Sequence, residues 1–472
     1  MTRRAGIAAL FVPLCLVVMV VAASAQPTVQ EIVVAAKPAV VLVTARVDAD
    51  VMLTCGAGQV TVNATPFVET GTGWFVDGRG WLITNAHVVD PAHTLPPWVQ
   101  EELRKSAVER ACVDPVLAQR GLMRGQRADL EAELRRRADP ARAVVKPTPS
   151  VTIMMSNGKT LAAEVKKFSA PLRLDAGGKA LAESGRDLAL LRVPSGAYPA
   201  LGLNDEIPRI GSELHIIGFP GVVLSHELLG KSAAVEASVT NGIVSGFKQD
   251  ALGQDVIQSD AAAAHGNSGG PAVGAGGAVA GVLTFVSLSP TGGNVVQGFN
   301  FLIPARDVRK FLAGTDVAMP TGGAFDAAWR AGVHDLFQGR YGAAVARIEE
   351  ANTLLSGLPD VKRALNDAKN PPPRPFPWVW VTLALALVSG AGYGGYLYRR
   401  WQRNRFRIPA SEVAKLIDGG HAPLVLDVRH GDTEKPGTLR IPGSVRLSEE
   451  TLAHGGVPEG IAKEQPVVAF CT

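Results

Sequence analysis

The chain has 472 residues, 47% hydrophobic, 19% charged and 6% aromatic, with a net charge of +4; it is too long for one core and points to roughly two to four domains. So small a charge excess gives no global nucleic-acid footprint, and no nucleic-acid partner is expected. Four cysteines, none in a Cys-x-x-Cys pair, exclude a disulfide-built scaffold and argue against a structural zinc site.

Arg3 and Arg4 precede an uncharged apolar run from Ala5 that ends in Ala23-Ser24-Ala25. A charged start, an apolar middle and a small-x-small end predict a secretory signal over residues 1–25, with an uncleaved anchor as the alternative. From Thr28 the pattern reads as a short amphipathic lead-in and a first strand over Ala39–Val47. Glu69–Val76, an Asp77-Gly78-Arg79-Gly80 turn and Trp81–Val89 then read as a β-hairpin. His87 falls just past the second apolar run, where a histidine is more often structural than catalytic.

Residues 91–149 change character. Glu101–Arg110 and Gln126–Arg142 are charged and Leu/Ala-bearing, so a surface helical insertion is expected, with Arg135-Arg136-Arg137 on a solvated face. Strands resume at Val151–Met155 and Leu161–Val165 around an Asn157-Gly158 turn. Asp187 heads the apolar run Leu188–Val193, and alone it reads as a cap. Short strands follow over Glu213–Phe219, Ala234–Val244, Asp255–Ser259, Ala278–Val286 and Gly298–Ile303, with a closing helix over Asp307–Phe311. This is the rhythm of a barrel or sandwich.

Within that block lies His265-Gly266-Asn267-Ser268-Gly269-Gly270-Pro271. A buried strand has no use for so many glycines. They suit a turn whose N–H groups converge on a developing oxyanion beside an exposed hydroxyl, although a Gly-x-Ser-x-Gly by itself is as readily a loop.

Residues 323–369 read as two amphipathic helices broken near Gln338–Tyr341. Residues 370–375 form a Pro-rich linker, and 376–398 carry no charge over a length that crosses a bilayer. Trp378 and Trp380 at one end and Tyr393, Tyr396 and Tyr398 towards the other make an aromatic belt. Five arginines within residues 399–407 put the tail on the cytoplasmic side, and so the region before the span outside. Cys55 and Cys112 are then the only cysteines of the exported region, in an oxidising compartment, and a disulfide between them is expected.

Three separated strings, Thr84-Asn85-Ala86-His87-Val88-Val89, Asp187-Leu188-Ala189-Leu190-Leu191 and Gly266-Asn267-Ser268-Gly269-Gly270-Pro271, occur in the order His, Asp, Ser. On them, and on Gly71-Thr72-Gly73-Trp74-Phe75, residues 26–315 resemble trypsin-like serine proteases, most closely the HtrA-type branch. The resemblance implies a mainly β fold of two β-barrels with the cleft between them. It makes Ser268 the nucleophile, His87 the base and Asp187 its orienting acid, with Gly266 and Ser268 N–H groups as the oxyanion hole. It implies protein or peptide substrates, no metal or organic cofactor, and a possible homo-oligomer. His265 stands where the branch commonly has Pro. Ala262, Leu283, Thr284 and Phe285 are expected around the specificity pocket, which gives a small or apolar P1 preference.

No peptide-binding PDZ domain of the kind that branch appends is visible. The Trp, Gly, Tyr and Ala spacing after Ala327 instead resembles one tetratricopeptide-type helix pair, either packed on the protease or acting as a spacer. Pro423–Arg429, Ile441-Pro442-Gly443-Ser444 and Val467–Cys471 make residues 408–472 resemble a partial α/β rhodanese-like domain, with Cys471 as candidate sulfur carrier. The reading is a membrane-tethered exported serine endopeptidase on the periplasmic face of the inner membrane. A peptide-binding pseudoprotease and a tail-centred sulfur or thiol function are the rivals.

Overall fold

The computed structural model describes residues 27–472, apart from Ala57, Asp139, Ala176, Leu229 and residues 231–234, 289–294, 318–321, 374–375, 430–439, 455–460, 462–464 and 471–472. The signal at residues 1–25 and Cys471 lie outside the described residues. The chain divides within the Pro-rich linker into Met1–Pro372 and Pro373–Thr472.

In the first unit, Thr28 caps helix α1 (Val29–Ala36) through a hydroxyl that accepts from Glu31 N at 3.2 Å. Strands β1 (Val40–Cys55), β2 (Gly58–Asn63), β3 (Phe67–Asp77) and β4 (Trp81–Thr84) follow. Next come helices α2 (Ala86–His93), α3 (Pro97–Val108), α4 (Asp114–Gln119) and α5 (Ala128–Arg137), then strands β5 (Val144–Met154), β6 (Thr160–Ala162), β7 (Glu164–Ser169) and β8 (Leu188–Arg192). The strands form one sheet in the order β6-β5-β1-β3-β4-β8-β7, with β2 on the outer half of β1.

The edge strands β6 and β7 are consecutive pieces of one stretch, broken at Ala163, whose N–H turns to Val151 O at 2.9 Å. One piece ladders to β5 and the other to β8. The sheet therefore curls back on itself without closing, which corrects the expectation of two complete barrels. Val41 and Val43 join Phe75, Leu82, Ile153 and Leu191 inside the curl. Val40 and Leu42 pack on the other face with Trp74, Ile217, Phe219 and Ile303. Both faces of this part of β1 are covered, so its sequence is continuously apolar rather than alternating. Each such buried side chain contributes roughly 1.5–3 kcal/mol.

Farther along β1 the alternate residues Ala45, Val47, Ala49, Val51 and Leu53 are buried with Val99, Leu103 and Ala107 of α3, which recur at helical spacing. The insertion is thus a layer with its own core on the outer half of β1, not only a surface excursion. Its last residues, Val144–Pro149, belong to β5. Pro147 and Pro149 face Ala49 and Val47 on a part of β5 beyond the reach of β6, and such an edge tolerates proline. Strand β1 runs on to Cys55 instead of stopping at Val47, because Asp48 and Asp50 take the less buried positions of a strand that pairs with both β2 and β5. The arginine run is tied to its own helices: Arg135 pairs with Glu109 and Glu131, and Arg136 and Arg137 pair with Glu133.

The second half of this unit is a closed barrel. It comprises β9 (Glu213–Gly218), then helix α6 (Gly221–Leu224), β10 (Ser238–Gln249), β11 (Asp255–Ser259), β12 (Pro271–Gly274), β13 (Val279–Leu288) and β14 (Val295–Pro304). The strand order is β10-β11-β14-β13-β12-β9, closed on itself, around Ile216, Val244, Ile257, Leu283 and Leu302. The short β12 escaped the sequence reading because proline and glycine bound it; β10 starts at Ser238, and the expected start at Ala234 lies outside the described residues. Helix α7 (Ala305–Leu312) closes the barrel.

Three helices follow where two were expected: α8 (Ala324–Phe337), α9 (Tyr341–Leu354) and α10 (Pro359–Lys369). They share a core of Phe325, Trp329, Ile348 and Val361 and pack on the protease-like part rather than spacing it from the linker. The Trp329 indole donates to Ala35 O at 3.1 Å, Asp326 Oδ1 accepts from Ala200 N at 2.9 Å, and Lys37 pairs with Asp360 at 3.3 Å.

The second unit contains α11 (Trp378–Asn404), long and apolar enough to cross a membrane by length and composition. Helix α12 (Ala410–Asp418) and strand β15 (Leu424–Asp427) follow, then β16 (Val445–Arg446), α13 (Glu449–Ala453) and β17 (Val467–Phe470). The three strands pair in parallel in the order β16-β15-β17.

Candidate active site

His87, Asp187 and Ser268, which lie far apart in sequence, line one cleft of about 430 Å³ between the curled sheet and the barrel. His87 is the second residue of α2, so its backbone N–H is one of the donors a helix start leaves free. It donates to Asp187 Oδ1 at 2.9 Å, while His87 Nδ1 lies 2.8 Å from Asp187 Oδ2. Thr284, on β13, donates its hydroxyl to the same Oδ2 at 2.7 Å. A carboxylate so placed assigns the ring proton to Nδ1 and leaves Nε2 as the acceptor.

Asp187 turns with φ +55° just before β8, a left-handed conformation that aspartate tolerates better than most residues. Asn85 Nδ2 holds its carbonyl at 2.8 Å. Burial acts to lower the pKa of His87, but the charge and hydrogen bond of Asp187, with Glu69 and Asp90 adding, outweigh it and raise the imidazole above 6.5. Burial also raises the Glu69 carboxyl, against the pull of His87 and His265.

Ser268 sits in a turn bolted to both halves. Its carbonyl accepts from Thr72 N at 2.8 Å, and the next residue, Gly269, donates to Leu283 O at 2.8 Å. The Thr72 hydroxyl donates to Gly266 O at 2.7 Å and accepts from Phe219 N at 2.9 Å. The glycines have a steric cause. Gly266 (φ +92°) and Gly269 (φ +86°) are left-handed, and a Cβ on either would overlap the carbonyl oxygen of Phe219 or Thr72. The N–H groups of Gly266 and Ser268 belong to this turn. His265 is exposed and lines the cleft, with its carbonyl turned to Gly221 N at 2.7 Å.

Of the expected pocket wall, Thr284 lines the cleft. The Leu283 side chain is in the barrel core, the Thr284 hydroxyl is committed to Asp187, and Ala262 is exposed with its carbonyl accepting from Thr240. The Phe285 side chain lies outside the described residues. Cys55 and Cys112 are joined by a disulfide, Cα atoms 5.3 Å apart, at the far end of β1. Two residues of the site, Thr72 and Arg186, were given no role by the sequence reading, and Thr284 was expected at the pocket wall but not as a partner of Asp187. Each carried a faint signal, since Thr72 sits between two glycines, Thr284 interrupts an apolar strand, and Arg186 immediately precedes Asp187.

A family model described as a trypsin-like peptidase domain matches residues 137–282, a stretch that includes Asp187 and Ser268. The chain is 34% identical over 146 residues to "Serine protease HTRA1" of Xenopus laevis, covering 29% of this chain and 27% of that protein. It is 29% identical over 170 residues to "Serine protease Do-like HtrA" of Lactobacillus helveticus, covering 35% and 36%. It is 42% identical over 87 residues to "Probable periplasmic serine endoprotease DegP-like" of Bartonella henselae, covering 18% and 17%. The matches thus span about a third or less of these relatives' lengths. On the fold, the meeting of the three strings and these matches, the chain carries a trypsin-like peptidase domain similar to those of HtrA-type serine proteases.

Proposed function

We propose that the chain is an exported serine endopeptidase, tethered by α11, that hydrolyses peptide bonds of envelope proteins through an acyl-enzyme. Ser268 Oγ attacks the scissile carbonyl while His87 Nε2 takes its proton, and the imidazolium then gives that proton to the leaving amine. Asp187 stays ionised and holds the ring. The N–H groups of Gly266 and Ser268 receive the oxyanion. Water repeats the sequence on the acyl-enzyme and frees Ser268. The observation that carries this reading is the Asp187 carboxylate held from both sides, by His87 and by Thr284, in the cleft that Ser268 lines.

The apolar length of α11 and the basic residues at its end support the tether and a cytoplasmic tail. The test is labelling of the detergent-solubilised full chain with a fluorophosphonate probe, together with casein cleavage. Both are expected in the wild type and neither in Ser268→Ala or His87→Ala. A wild type that binds casein without labelling or cleaving it would favour a peptide-binding pseudoprotease.

A further inference from the structure

We propose that Arg186 is a positioning residue for Asp187, fastening the turn that presents this carboxylate to the barrel that carries Ser268. The proposal rests on the triad reading above.

The backbone of Arg186 belongs to the curled sheet, where its N–H donates to Ser169 Oγ at 2.7 Å. Its neighbours Gly185 and Asp187 both donate to Ala170 O at 3.1 Å. The side chain leaves the sheet and crosses into the other half. Its guanidinium donates to Asp307 Oδ2 on α7 at 2.7 Å, to Asp250 Oδ2 at 3.3 Å and to the carbonyl of Asp255. Gln254 returns a bond to Gly185 O at 3.4 Å. The Arg186 side chain is only 11% exposed, and Asp250 and Asp307 are 7% and 15% exposed. This is a covered tie between the halves rather than a surface pair, and such ties are screened far less than exposed ones.

The tie acts one residue from the group that needs it. Asp187 must face His87 from the sheet and Thr284 from the barrel at once, and it does so in a left-handed conformation with little tolerance for drift. A guanidinium fork spans several acceptors in fixed directions, which a lysine ammonium on a flexible stem does not reproduce. With Arg186→Lys the charge stays but the geometry loosens, and Asp187 draws back from His87. The charges that then still face His87 are Glu69 and Asp90, the latter paired with Arg173.

The experiment compares wild type, Arg186→Lys and Asp307→Asn as full chains in detergent. It uses casein kinetics per labelled Ser268 and an NMR titration of the His87 imidazole. The expected result is a kcat reduced at least about tenfold with KM changed less than about threefold, and a His87 pKa moved down in both variants. A lowered melting temperature with kcat and the His87 pKa unchanged would overturn the proposal, because the tie would then only stabilise the fold. Should the wild type fail to label while the His87 pKa still falls in Arg186→Lys, the endopeptidase reading fails and the positioning role stands.

Discussion

Thr284 Oγ1 lies 2.7 Å from Asp187 Oδ2, the same oxygen that faces His87 Nδ1 at 2.8 Å. One carboxylate oxygen is thus shared between a hydroxyl of the barrel and the imidazole at the start of α2. The shared oxygen fixes the carboxylate plane. A hydrogen bond to a charged group contributes about 1.5–3 kcal/mol, so its loss reaches the base through orientation. Thr284→Val, which keeps the shape and removes the donor, is expected to lower kcat/KM roughly 10- to 100-fold. Thr284→Ser is expected to stay within several-fold of wild type. Casein kinetics on both variants check this, and equal losses in Val and Ser would assign the effect to packing instead.

The raised His87 pKa fixes the direction of the pH dependence. His87 must be neutral to accept the Ser268 proton, so kcat/KM is expected to rise with pH through a midpoint above 6.5. Glu69→Gln removes one of the charges that raises His87 and moves that midpoint to lower pH; a midpoint at higher pH would contradict the assignment. The stability linkage runs the other way. The charged-imidazole contribution is fully present below the unfolded value near 6.5 and is lost as pH rises through the raised folded value. Asp187→Asn should flatten this dependence in thermal melts at pH 5 to 9.

The three strings that meet at the cleft were legible because the chemistry they suit restricts them to few residue types, and the Gly266 to Gly270 turn because close backbone approach admits only glycine at three of its positions. The supporting residues were not. Thr72 and Thr284 are ordinary threonines until tertiary folding brings the partners Gly266, Phe219 and Asp187 to them. The pocket wall was met only in part: Thr284 lines the cleft, while the neighbouring Leu283 side chain is in the barrel core, because adjacent strand residues point to opposite faces. The outer half of β1 was missed because Asp48 reads as a break, whereas it occupies one of the less buried positions of a strand whose alternate residues Val47, Ala49, Val51 and Leu53 are buried.

The Cys55–Cys112 disulfide closes a loop of sequence separation 57. On the chain-entropy account such a closure stabilises by about 4 kcal/mol. Cys112→Ser is therefore expected to lower stability by up to that amount while leaving casein turnover per labelled Ser268 near wild type, because the pair sits at the insertion end of β1. Thermal melts and mass analysis with and without reductant measure both. Two free thiols in protein purified from an oxidising compartment would contradict the pairing.

Thr72 offers the sharpest separation of stability from catalysis. Its buried hydroxyl donates to Gly266 O and accepts from Phe219 N, and its backbone N–H holds Ser268 O. Thr72→Val conserves volume but leaves one buried carbonyl and one buried N–H without that partner. At about 1–3 kcal/mol each, the expected loss of stability is roughly 2–6 kcal/mol. The catalytic effect is separate, because the Gly266 carbonyl and its neighbouring N–H groups share one rigid turn. Once the carbonyl is released, the Gly266 N–H no longer points reliably at the oxyanion. Loss of one such donor costs on the order of 100-fold in kcat. Thr72→Val is thus expected to label slowly with the fluorophosphonate and to turn over casein about 100-fold more slowly. Thr72→Ser, which restores the hydroxyl without the methyl, is expected to recover most of the rate and only part of the stability. A valine variant that melts early yet labels at the wild-type rate would show that the turn holds the oxyanion hole without this hydroxyl.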